Sequence, residues 1–96
     1  METSYHIVVQ MKALNGTVEI GRFLISTDKE FAFETFNSLK GKTALPETQI
    51  LRLSLLETTG LSGNIIGILG CNLEELAENC KIITRDAFKF FNLGII

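Results

Sequence analysis

Histidine is nearly missing from this chain, which has one among its 96 residues beside two cysteines, one proline, one tyrosine and no tryptophan. A metal centre needs several convergent His, Cys or acidic ligands. His6 stands alone on the less apolar face of its strand, so a surface role is expected, with no metal and no cofactor. Long apolar runs are missing too. None approaches the roughly 18 residues of a membrane span. The first residues, METSYHIVVQMKAL, lack the basic start and the long apolar stretch of a signal peptide. A cytoplasmic protein without a membrane partner is expected, with Asn15-Gly16-Thr17 as a turn and not a glycan site. In a reducing compartment Cys71 and Cys80 are expected to be free thiols. Roughly 12 Å of helix axis separates them at 1.5 Å per residue, beyond the reach of a disulfide. The net charge is −2, and no basic cluster lies outside one helix. Both argue against a nucleic-acid partner.

What the chain does have is one long amphipathic segment. From Asn72 to Gly94 it reads as a helix of about six turns. At 100° per residue, Leu73, Leu76, Ala77, Cys80, Ile83, Thr84, Ala87, Phe88, Phe90 and Phe91 share one arc, expected to face the core. Asn72 is a good N-cap with Glu75 at capping-box spacing, and Gly94 can end the helix in a left-handed conformation. Acids crowd its first turns, and Lys81, Arg85 and Lys89 follow, as the helix dipole favours.

Before it, residues 5–13 alternate as a half-buried strand, and Leu14-Asn15-Gly16-Thr17 carries a hairpin signal. An Asn15-Gly16 turn would set Lys12 opposite Glu19. Past Gly21 the parity of core residues changes, so a β-bulge is expected at Gly21-Arg22, turning Phe23 and Ile25 inward. Thr27 and Glu30 have capping-box spacing for a helix whose inner stripe is Phe31, Ala32, Thr35, Phe36 and Leu39, ended by Gly41. An irregular link with the only proline leads to a strand over 50–57, a turn over 58–63 and a glycine-broken strand over 64–70. The fold class is therefore α+β, in the order ββαββα. Two hairpins form one four-stranded antiparallel sheet, with both helices on one face. Residues 1–96 make a single domain. Shifting by 45 residues lays Thr27 on Asn72 and Glu30 on Glu75, a pseudo-repeat of about 5–41 and 50–94. Capped helices that follow strands produce much of that match without a duplication.

The catalytic motifs fail on inspection. Gly41-Lys42-Thr43 lacks the first glycine of a P-loop, since Phe36 stands there, and it follows a helix. Ser26 to Lys29 fits S-x-x-K without its companion motifs. Gly63, Gly67 and Gly70 suit close packing of a strand. Cys71, just before a helix N-terminus, is the one nucleophile candidate with a physical rationale, because the dipole lowers a thiol pKa. Burial as a small residue is its plainer reading.

Surface features point elsewhere. Lys81, Arg85 and Lys89 form a basic stripe open to an anion or a charged partner, or simply a solvated helix face. Phe33 and Ile82 stand on the polar sides of their helices, and the chain ends in Ile95 and Ile96. With a mean hydropathy of +0.27, these suggest an apolar surface that another copy covers. The reading is a non-catalytic regulatory or protein-interaction module acting as a homodimer. The alternative is a small-molecule or anion binder, or a small enzyme with its site between subunits. For that, the outer sheet face offers His6, Gln10, Lys12, Glu19, Arg22 and Arg52.

Overall fold

A computed structural model describes residues 2–43 and 49–94. Its elements run β1 (Thr3–Ala13), β2 (Gly16–Ser26), α1 (Lys29–Asn37), β3 (Leu51–Thr59), β4 (Ser62–Cys71) and α2 (Leu73–Phe88), with α2 continuing as a π-helical turn over Lys89–Leu93. The strands make one antiparallel sheet in the order β2-β1-β3-β4. This is the expected ββαββα architecture. The two hairpins meet along their first strands, β1 and β3.

Ile7 and Val9 of β1 and Leu53 and Leu55 of β3 join Ala32 and Phe36 of α1 and Ile83 of α2 in one core. Both helices therefore lie on the same face. Phe36 sits directly over Gly67, where a Cβ would come within 2.9 Å of its ring. The close approach expected of that glycine is thus real.

Several local expectations shift by a residue or two. The first hairpin turns at Leu14-Asn15, with Ala13 opposite Gly16. Among the described residues only glycines have positive φ, Gly16 at 127°. Asn15 therefore does not adopt the left-handed conformation that the expected turn requires. Lys12 faces Thr17, and Glu19 faces Gln10. The bulge falls at Ile20, one residue before the expected site, and a second falls at Ile25. Its purpose is kept, since Phe23 packs on the core, Ile25 is buried within it and Arg22 is exposed. The second hairpin is tighter than expected: Thr59 pairs with Ser62 across Gly60-Leu61. Gly60 has φ 61°, as a primed turn wants at its first central position.

Helix α1 is capped by Asp28, whose Oδ2 accepts the Phe31 N–H at 2.8 Å, and not by Thr27. Ser26 still belongs to β2, and its hydroxyl donates to the Asp28 carbonyl, so the helix starts one residue late. The two caps are then Asp28 and Asn72, one position off the register that paired Thr27 with Asn72. The capping box at α2 forms as expected. Asn72 Oδ1 accepts the Glu75 N–H at 2.8 Å, and Glu75 Oε1 accepts the Asn72 N–H at 3.0 Å. Gly94 closes the π turn at φ 64°.

The main departure is the rotation of α2. Asn79, expected on the polar side, is fully buried beside Ile83. Its side chain clamps the backbone that leaves α1: Oδ1 accepts the Lys40 N–H and Nδ2 donates to the Lys40 carbonyl, both at 2.8 Å. A second link runs from the Thr35 hydroxyl to Asp86 Oδ2 at 2.9 Å. A buried amide is tolerated only when paired, and this one is paired on both sides. The clamp continues to the sheet, because Lys42 exchanges two 2.8 Å backbone hydrogen bonds with Gly70. Gly41 makes this possible at φ 153°, where a Cβ would collide with the Gly70 carbonyl oxygen.

Replacing Asn79 with leucine keeps the branched shape, at a somewhat larger volume, and strands both Lys40 backbone groups. The expected loss is about 1–3 kcal/mol of unfolding free energy in urea titrations. A loss under about 0.5 kcal/mol would show that the clamp contributes nothing measurable.

Candidate functional site

With Asn79 as reference and 100° per residue, Leu76, Ile82, Ile83 and Asp86 lie within about 60° of it. That is the inward face. Leu73, Ala77, Thr84 and Phe88 lie between about 120° and 180° away, and all four are exposed. Leu73 is 75% exposed and Phe88 56%, with Phe91 of the π turn at 48%. Half of the apolar arc expected to build the core therefore faces outward. Phe90 is the exception at that end, packed against Phe31 of α1 with ring centroids 5.2 Å apart. Beside the stripe a shallow cleft of about 450 Å³ separates α2 from the edge strand β2, lined by Arg22, Phe23, Leu24, Ala87 and Phe88 among others.

Two of the four residues expected at an interface, Phe33 and Ile82, are placed differently. They are half-buried and packed against the core. Both helices contact the sheet and each other, so a side chain on either flank finds cover. On α2 and its π turn the large apolar residues that face outward are Leu73, Phe88, Phe91 and Leu93. Ile95 and Ile96 lie outside the described residues.

The basic stripe is real in position. Lys81 and Arg85 are exposed, and Lys89 is half-buried at the start of the π turn. Arg85 Nε lies 3.1 Å from Asp86 Oδ1, the carboxylate that also accepts from Thr35. The central cation of the stripe thus uses its Nε on an acid of its own helix, while its side chain stays largely exposed.

The outer sheet face carries the polar residues expected there. His6 lies between Leu24 and Leu56, Val8 between Arg22 and Ser54, and Gln10 between Glu19 and Arg52. Arg22 binds Glu19 at 2.8 Å, which lowers the Glu19 pKa and raises that of Arg22. Burial, then the Arg22 charge, lowers the His6 pKa and favours neutral imidazole. Its Nδ1, with Ser54 Oγ and Thr58 Oγ1, is buried without a hydrogen-bond partner. These groups do not converge on a cleft, and among the described residues no three His, Cys, Asp or Glu side chains gather for a metal.

At the start of α2 a larger cleft of about 690 Å³ is lined by Met11, Ile50, Leu51, Cys71, Leu73 and Glu74 among others. Cys71 is buried, and burial is the first cause raising its thiol pKa, followed by Glu75 and Cys80. The helix N-terminus does not activate it. Ser26 is also fully buried, its hydroxyl used at the helix cap. Cys71 is buried, as its plainer reading had it, whereas Cys80, expected deep in the arc, is only half-buried at the edge of the exposed stripe.

What sequence reasoning missed was the inward use of Asn79 and Asp86. Their signal was weak: two polar residues seven apart, two helical turns, on an otherwise apolar side. In the folded protein a small neutral thiol reagent is expected to label Cys80 at least several-fold faster than Cys71. Equal rates, or faster labelling of Cys71, would contradict this placement of α2.

The chain matches no protein family, and no curated protein or solved structure shows measurable similarity to it.

Proposed function

We propose that this protein is a non-catalytic interaction module that works as a homodimer. The observation that carries this reading is the outward stripe of α2. Leu73, Ala77, Phe88 and Phe91 are exposed on a helix whose opposite side already fills the core. Exposed apolar residues are common singly, but a row on one helix face marks a surface that something covers. A second copy is the simplest cover, since a two-fold interface needs only one self-complementary patch. Regulation or scaffolding through that dimer follows as the class of role.

A small-molecule binder is the weaker reading. The 690 Å³ cleft at the start of α2 is of ligand size. Its titratable side chains are Glu74 and the buried, neutral Cys71, which do not make a reaction centre.

Light scattering at tens of micromolar is expected to give twice the 10.7 kDa chain mass. A mass of 10.7 kDa throughout that range would contradict the homodimer.

A further inference from the structure

The charges beside the stripe are ordered along the helix. Glu74 and Glu78 occupy its first half, and Lys81, Arg85 and Lys89 its second. At 100° per residue these five fall between about 200° and 280° from Asn79, in one row along one side of the stripe. Glu74, Glu78, Lys81 and Arg85 are exposed. Within the chain the only salt bridge from this row among the described residues is that of Arg85 to Asp86.

Such a row is complementary to itself read backwards. Resting on the homodimer reading above, we infer that α2 pairs antiparallel with α2 of a second copy, across a two-fold axis beside Cys80 and Lys81. That register sets Leu73 opposite the partner's Phe88 and Ala77 opposite the partner's Thr84. The large residues lie at the two ends, and the small central ones let the helices approach. The two-fold axis stands perpendicular to the plane of the helices, so both charged rows fall on the same side. Glu78 then lies between the partner's Lys81 and the partner's Arg85. Glu74 lies between the partner's Arg85 and the partner's Lys89. At 1.5 Å rise per residue each acid is offset from its two bases by about 3 Å along the axis. A parallel two-fold pairing would instead put the two charged rows on opposite sides of the helix pair, where they could not meet. The charge order therefore selects the antiparallel arrangement, as interface charges commonly select register and partner. The basic stripe has a use in this arrangement: its partner is the acidic half of the same helix.

The test exchanges charge between two single variants. In a homodimer of Glu78→Lys, the new lysine lies beside two cations. In a homodimer of Arg85→Glu, the new glutamate lies beside two acids. Both positions are exposed, so circular dichroism should show both variants folded. Sedimentation equilibrium is expected to show each dimer weakened about tenfold, the sum of four lost surface contacts and four new repulsions, two of each per chain. An equimolar mixture should bind more tightly than either variant alone and less tightly than the unmodified chain, because the two exchanged charges then meet each other while each still faces one like charge. Native mass spectrometry should find the heterodimer dominant. Variants that dimerise as tightly as the unmodified chain would overturn the α2 pairing and leave the homodimer standing. Weakened variants whose mixture is no tighter would overturn the antiparallel register. An unmodified chain that stays monomeric would overturn the homodimer itself.

Discussion

The buried amide of Asn79 is the constraint on which the arrangement of the helices rests. Its two hydrogen bonds to Lys40 join the end of α1 to the middle of α2. An amide left unpaired at that depth would cost more than a good hydrogen bond gains. The helix therefore has one rotation that satisfies it. That rotation also brings Asp86 to Thr35 and Ile83 into the core. The same turn carries Leu73, Ala77 and Phe88 out of the core. The exposed stripe is in this sense a consequence of a polar contact: the helix has more apolar surface than one side can bury, and Asn79 decides which part stays outside.

Around that clamp the structure is tied by short polar links that leave the core itself apolar. Tyr5 donates to Glu57 at 2.8 Å, and Lys29 approaches the same carboxylate at 3.7 Å, joining β1, β3 and the start of α1. Burial, with help from that acceptor, pushes the Tyr5 pKa up to about 12. Because the folded state holds this proton longer than the unfolded chain, the contribution is full below pH 10 and fades between 10 and about 12. None of these links gathers reactive groups into a cleft. They are structural.

Much of the architecture was legible in the sequence, because its signals are local. Alternation marked the strands, the Asn72–Glu75 box marked the start of α2, and Gly94 marked the end. Errors of one or two residues entered where glycine competed with a neighbour for a turn, as at Asn15-Gly16, or where Ser26 prolonged β2. The rotation of α2 was not legible. A periodicity argument places polar residues outside by construction, and it has no means of seeing that Lys40 offers a buried amide both of its partners. Phe33 and Ile82 were misread for the same reason, since their cover comes from a neighbouring helix. The stripe of surplus apolar residues was visible as a surplus, but its place was not.

The central claim is that Phe88 belongs to a surface shared with another copy and not to the core of the single chain. The most direct measurement is the melting temperature of the unmodified protein and of Phe88→Glu as a function of concentration. Linkage predicts that the unmodified protein melts higher as concentration rises through its dimerisation range. Phe88→Glu should melt at one temperature throughout, within about 2 °C of the unmodified protein at the dilute limit. A variant that melts far below the unmodified protein even at the dilute limit would place Phe88 in the core and contradict the account.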